Sequence, residues 1–578
     1  SPALRVGGSP HASGAESHFR NPSPANQAET PTFFCLISSY LAIPPCLCYN
    51  QKLKNDAHWV RKERERSMNR ASNSESRGAK RLLCLLCFAA LLISVLPLYA
   101  ISVYNHPYYD DYGFSVKTHQ AWEKTESFPA VLSAAVQSAK EVRGNWQGTY
   151  TGTLLSNLQP GVFSENLYFI GNLFLLTAFL LCFGFFFRVL CKEWLGLDAY
   201  GTIMLTCLAL TLMVQFMPDT GEAFYWFNGG IGNTFIYSLL ALSLAFTLKL
   251  LRLGEAQEAK PNHARLRGAL LTLALALLMV LLGGGSYGGG LFGLCLYALL
   301  VLWAFGKGNR SKWPLLALWT LFLTCFLYSV TAPGNAVRAE IIGHQASAIK
   351  AVAQALYYGV AQIGGYIRLP LLAVSAMVAP LCYRAAQKSR YAFQHPVAML
   401  FVMICLFCTQ LAPPLYSGVF IGGGRIVNTY FQSFVVLWFL CLYYLLGYAA
   451  KRARQPIEWS KSAQRGLAVV SLCTLLVGCL GYKRPSDTMY GVQNMAGMSA
   501  AISLLNGEAK QYDREMRARE ALLNDDSQPV ITLAPLSSVP KVFMPDLLCL
   551  NAQDDVRPAL CEYYAKQSIA IAGEEVTP

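Results

Sequence analysis

A helix crosses the hydrocarbon core of a bilayer with about 20 consecutive apolar residues, and this chain offers such stretches repeatedly. They lie near 81–103, 167–190, 199–217, 231–251, 268–284, 287–306, 314–332, 366–383, 396–416, 430–450 and 466–482, eleven in all. Only 14% of the 578 residues are charged and 54% are hydrophobic, with a mean hydropathy of +0.34, too apolar for a water-soluble chain of this length. Backbone groups in lipid must find their partners within the segment, so the stretches predict helices. The expected fold is an all-α polytopic membrane protein of about eleven transmembrane helices.

A net charge of +14 would suit a nucleic-acid partner if it were gathered on a soluble domain. It is not. Arg77, Lys80, Arg252, Arg265, Arg267, Lys307, Arg310, Lys312, Arg384, Lys388, Arg390, Lys451, Arg452 and Arg454 fall in alternate short connections between apolar stretches. Placing these connections in the cytoplasm satisfies the positive-inside rule. The N-terminal side is then cytoplasmic, and an odd number of helices sends residues 483–578 outside. The partner read from composition is a lipid bilayer, and the location is a bacterial inner membrane.

Residues 1–67 contain no methionine, are rich in Ser, Pro, Ala and Asn, and end in a charged run ahead of Met68. They read as a disordered or mis-assigned extension. The apolar run 32–48 is broken by Pro44 and Pro45 and is short for a span. Residues 68–482 form the membrane domain, and 483–578 a small soluble α/β appendage, with a helical stretch over 512–523 and a strand-like run over 529–536. Most of the eighteen cysteines lie in apolar stretches and show no metal-ligand spacing; Cys46 and Cys48 lack His or Cys partners nearby. Cys549 and Cys561 are a candidate disulfide in an oxidising compartment.

The polar groups with chemical potential gather on the outer side. Asp110 and Asp111 follow the first apolar stretch, in the run NHPYYDDYGFS. A carboxylate beside a low-dielectric slab, with a second next to it, suits a base or a cation holder; a helix N-cap is the plainer alternative. The loop 104–165 carries Trp122, Phe128, Val131, Leu132, Ala135 and Val136, spaced for an amphipathic helix on the membrane surface. The segment 333–365 repeats the pattern with Ile341, Ile342, Ile349, Val352, Ala353 and Leu356. Arg143, Asn145, Trp146, Gln147 and Tyr150 lie before the second stretch, and Asp219, Glu222, Trp226 and Asn228 in the next outer loop. Aromatic rings beside amides suit sugar binding, and equally suit a membrane interface. Arg425 in GGGRIVN and Arg338 in PGNAVR are phosphate candidates, since a guanidinium matches phosphate oxygens bidentately; a snorkelling interfacial Arg is the alternative. The run GGGSYGGG over 283–290 lacks the Gly-Lys-Ser/Thr ending of a phosphate loop and reads as a tight turn with close helix packing.

This layout resembles the GT-C class of membrane glycosyltransferases, which place an acidic motif in the first outer loop soon after the first helix, as YYDDYGF stands here. The runs NWQGTY, FYWFNGG and PGNAVR are similar to those of an uncharacterised family of bacterial polytopic proteins. The first resemblance implies a GT-C-like fold with outer amphipathic helices and a sugar donor on a polyprenyl phosphate. It further implies inverting transfer to an envelope glycan or lipid acceptor. Asp110 would deprotonate the acceptor, Arg425 or Arg338 would stabilise the departing phosphate, and Asp111 or Asp219 would orient hydroxyls. The resemblance fixes no cofactor and leaves a divalent cation open, since some members use one and others do not. The chain departs from the pattern in lacking a Lys- or His-rich phosphate site and an acceptor-peptide motif. Two other readings stay open: a transporter or flippase, and an O-antigen polymerase or ligase in which arginines dominate.

Overall fold

The computed structural model describes residues 78–255, 261–343, 345–419, 421–453, 460–484, 487–546 and 556–572. The readings of residues 1–67 and of a Cys549–Cys561 bridge lie outside these residues. The described chain is mostly helical, with two short strands, and nine of its helices are long and apolar enough to cross a membrane: Gly78–Tyr104, Glu165–Trp194, Phe227–Glu255, Arg265–Gly283, Tyr287–Gly306, Lys312–Val330, Leu369–Lys388, Gly424–Arg452 and Ser462–Leu480. The two other expected spans form shorter apolar helices, Ala199–Gln215 and Pro396–Thr409.

The shortness of these two has local causes. Asp198 caps the first by accepting a hydrogen bond from the Gly201 amide at 2.7 Å. The second begins on Pro396, breaks at Gln410 and resumes as Ala412–Tyr416. Fourteen residues rise only about 21 Å, short of the roughly 30 Å hydrocarbon core.

The outward faces of the long helices are apolar: Leu181 is 67% exposed, Leu273 70% and Leu302 68%. Leucine this exposed on long apolar helices suits lipid rather than water. Inside, one continuous core joins the spans, with Phe179, Phe187, Phe224 and Tyr297 fully buried. Arg265–Gly283 packs on Lys312–Val330, and Leu369–Lys388 on both Gly424–Arg452 and the last long helix.

The glycine run shows why it is rich in glycine. A Cβ on Gly283 would meet Cys325 at 2.4 Å, one on Gly288 the Gln410 carbonyl at 2.7 Å, and one on Gly290 the Phe326 ring at 2.6 Å. Close approach of neighbouring helices, not a phosphate loop, accounts for these residues.

The stretch from Trp122 to Val136, expected to form one amphipathic helix, falls on two, Asp110–Thr125 and Phe128–Asn145, parted at Glu126, whose φ is 47°. Val131 and Ala135 are buried, while Phe128, Leu132 and Val136 stay exposed on the other side. The second segment is also split, into Pro333–Ile342 and Ala348–Tyr366; Ile341, Ile349 and Val352 are exposed. Pro333–Ile342 packs on Phe128–Asn145.

The C-terminal segment contains helices Ala496–Leu505 and Glu508–Leu523, and a short helix Arg557–Tyr563. Strands Val530–Leu533 and Ser568–Ile571 pair in parallel, with Val530 opposite Ser568. The expected helical stretch thus begins at Glu508 rather than 512, after Gly507 in the left-handed region, and the expected strand is four residues long. The segment packs on the first long loop through Tyr112, Val116, Leu533, Leu560 and Tyr563. The opposite end of the helices carries several of the basic connections: Arg252 and Arg390 share Glu255, at 3.0 and 2.5 Å, and Lys249 meets Glu193 at 2.8 Å.

Candidate functional site

Asp110 opens the helix Asp110–Thr125, and the residue before it, Tyr109, has φ 47° and ψ −113°. That backbone is costly for a residue with a large side chain, of order 1–3 kcal/mol. Its neighbours hold it there. The Tyr108 and Tyr109 rings pack edge-on against Trp226, with centroids 5.8 and 6.3 Å away, and the Tyr108 amide donates to Asp111 Oδ2 at 3.1 Å.

Asp111 faces inward and is almost wholly buried. Besides the Tyr108 amide, its carboxyl accepts hydrogen bonds from the Tyr168 hydroxyl at 2.6 Å and the Asn228 amide at 2.9 Å. Burial outweighs these bonds and, with the Asp110 charge adding to it, pushes the Asp111 carboxyl up to about 7. Asp111 therefore ties the first loop to the start of two long helices.

Asp110 instead faces a cavity of roughly 760 Å³. Of the candidate site residues singled out in the sequence, Asp110, Trp146, Gln147, Asn228, Arg338 and Arg425 line it. Arg338 is placed by the first long loop: Nη1 donates to Gln147 Oε1 at 3.0 Å, and its guanidinium lies 4.9 Å from the centroid of Trp146. Burial is the main force holding Arg338 below the ordinary arginine range; the like charge of Arg425 adds to it, while Tyr287 and Asp110 oppose it. Those interactions place both arginines and the carboxylate in one electrostatic neighbourhood. Arg425 packs over Trp226, 4.8 Å from its centroid.

The other seven sequence candidates stand outside the cavity wall. Asp219 and Glu222 clamp the start of Gly424–Arg452. Glu222 accepts from the Gly424 and Arg425 amides at 3.2 and 2.9 Å, donors at a helix N-terminus that have no partner within the helix itself. Asp219 accepts from the Glu222 amide at 2.9 Å, and its own backbone exchanges two hydrogen bonds with the Asn428 side chain at 2.8 and 2.7 Å. Burial raises both carboxyls, and for Glu222 the Asp219 charge adds to it. Trp226 supports Arg425 and the two tyrosines from behind. Arg143 donates to the Tyr328 carbonyl at 2.9 Å and lies 3.9 Å from its ring centroid. Tyr150 donates to the Val280 carbonyl at 2.6 Å, and Asn145 is exposed at the end of its helix. Asp111 is the seventh.

Polar lining residues not singled out in the sequence include Tyr109, Asn233, Tyr287, Asn335 and Gln410. Asn335 had a signal: it precedes Arg338 by three positions on one helix, so the two share a face. Its Oδ1 accepts from Tyr287 at 2.7 Å, and the Gly148 amide donates to the Tyr287 hydroxyl at 2.9 Å. Tyr287 was hidden inside the glycine run, and Gln410 inside an apolar stretch.

Metal-ligating side chains come together in one group among the described residues, His106, Glu165 and Glu520, and none of the three lines the cavity. Chemically, the cavity offers one carboxylate able to take a proton, two guanidiniums able to meet an anion, and aromatic and amide surfaces for a polar ring. Comparison of the chain with protein-family models, with curated proteins and with solved structures finds no match.

Proposed function

We propose that this chain is a membrane glycosyltransferase of GT-C type that moves a sugar from a polyprenyl-phosphate donor to an envelope glycan or lipid acceptor. The reaction is placed at the outer face of a bacterial inner membrane, with the N-terminal side cytoplasmic and the C-terminal segment outside. One observation carries the reading: Asp110, Arg338 and Arg425 share a single cavity at the end of the helices where the long loops meet.

In this reading the acceptor hydroxyl gives its proton to the Asp110 carboxylate as its oxygen attacks the anomeric carbon. The bond to the lipid phosphate breaks with its electron pair on the phosphate oxygen, and the configuration inverts. Arg338 and Arg425 stabilise the charge growing on that phosphate. Trp146, Gln147 and Asn228 contact the sugar, whose apolar face and hydroxyl edges match a ring beside amides. Asp111, lying outside the wall, positions the backbone that presents Asp110.

A second reading, substrate translocation, is favoured by the interrupted helix at Gln410, which lines the same cavity. Envelope glycans compared by mass spectrometry separate the two, using a deletion strain complemented with wild type or with Asp110→Asn. Loss of a sugar on deletion, restored by wild type but cut about 10²–10⁴-fold with Asp110→Asn, is expected of a general base. Equal restoration by both removes Asp110 from the chemistry, and an unchanged glycan profile on deletion favours translocation.

A further inference from the structure

His106 follows the first long helix and precedes Asp110 by four positions, Glu165 is the first residue of the long helix Glu165–Trp194, and Glu520 lies on the C-terminal helix Glu508–Leu523. One ring nitrogen of His106 and one carboxylate oxygen from each glutamate lie within 4.8 Å of one another. Donors around a single ion at 2.0–2.2 Å sit about 3.3–3.6 Å apart, a spacing these side chains reach by small rotations. We propose that His106, Glu165 and Glu520 form a divalent transition-metal site, zinc in class, that clamps the C-terminal segment to the first long loop.

Independent support comes from atoms that lack partners. His106 is 5% exposed, and its Nδ1 is buried with no hydrogen-bond partner. Glu165 Oε1 is likewise buried without one. A buried polar atom left without a partner destabilises the fold, and a cation would satisfy both while relieving the repulsion between the glutamates. The other ring nitrogen, Nε2, lies 3.0 Å from Asp513 Oδ1. A metal-bound histidine ordinarily hands its second N–H to a carboxylate in this way, which fixes ring and tautomer. Tyr512 packs edge-on against the imidazole at 5.9 Å, holding it further. Arg517, the neighbouring cation, is engaged elsewhere, with Asp513 at 3.0 Å and Asn166 at 2.5 Å.

One imidazole with two carboxylates suits a borderline ion such as Zn²⁺; Ca²⁺ wants six to eight oxygens, and Mg²⁺ prefers carboxylates and water to imidazole. The ion would sit beside the cavity rather than in it. Its effect is to hold the run from His106 to Asp111, and with it the strained turn that presents Asp110.

The test uses full-length protein in detergent, without a polyhistidine tag, stripped with a chelator and with its thiols alkylated. Titration with Zn²⁺, and separately with Mg²⁺, is followed by bound metal per chain and by thermal unfolding. One equivalent of zinc with a rise in Tm, and no equivalent effect of Mg²⁺, is expected. Asp513→Asn should weaken zinc binding about 10–100-fold, and Glu520→Gln should abolish the metal-dependent rise. Glu520 is half-buried on its helix, so this variant keeps the test decisive if His106→Ala fails to fold. Absence of stoichiometric zinc, or undiminished binding by Glu520→Gln and Glu165→Gln, overturns the site.

Discussion

Burial separates the two carboxylates at positions 110 and 111. An α-helix turns about 100° per residue, so in the first turn of Asp110–Thr125 one side chain meets the cavity while the next meets the interior. The desolvated Asp111 carboxyl, raised to about 7, binds its proton more tightly in the folded protein than in the unfolded chain. Its contribution to stability is therefore fully present below pH 4, declines as pH rises, and is lost through pH 7. Thermal unfolding of the wild type between pH 4 and 8 should show that decline, and Asp111→Asn should make it shallower, the raised Asp219 and Glu222 carboxyls supplying the remainder. An unchanged slope in the variant would assign the pH dependence to other groups. The sequence announced the acidic pair, yet the split in environment depends on Tyr168 and Asn228, which are far away in the chain.

At the scale of elements, the cavity wall is set by how closely short turns approach long helices. Gly148 stands behind Trp146 and Gln147, and a Cβ there would lie 1.9 Å from the Ser329 carbonyl oxygen. The Ser329 hydroxyl also donates to the Gly148 carbonyl at 2.8 Å, so backbone and side chain are locked together. Gly148→Ala should cost at least about 1–3 kcal/mol, the range for overpacking a filled site, read as a lower Tm in detergent. Gly268→Ala is the contrast. Nothing lies within 4 Å of its added methyl, and it sits mid-helix, where Ala gains about 0.5–1 kcal/mol over Gly. Equal effects from the two would contradict the packing described. The glycine run over 283–290 was legible as close packing because small residues in apolar stretches have few other uses. The split of each loop helix in two was not, since Glu126 takes a backbone conformation that residue type rarely adopts.

At the scale of the whole molecule, the C-terminal segment is fastened to the first loop. Tyr563 stacks on His119 with centroids 4.0 Å apart and meets Tyr112 edge-on at 5.2 Å. Arg519 makes a bidentate pair with Asp546 at 2.9 and 2.7 Å, both side chains being nearly buried. Tyr563→Ala removes the ring at the centre of this contact and should cost about 3–5 kcal/mol locally, the range for truncating a buried aromatic. Limited proteolysis should then cut within 487–572 well before the long helices. Resistance equal to wild type would show that the aromatic contact does not fasten the segment. The sequence by itself determined the helical class, the long apolar spans and the glycine-rich packing, because span length and composition are local properties set by bilayer thickness and backbone hydrogen bonding. Only the tertiary structure decided that Asp110, rather than Asp111, faces the cavity, that Arg338 and Arg425 join it there, and that His106, Glu165 and Glu520 meet. Those groupings arise from contacts between segments distant along the chain, and no local pattern encodes which buried face will meet which.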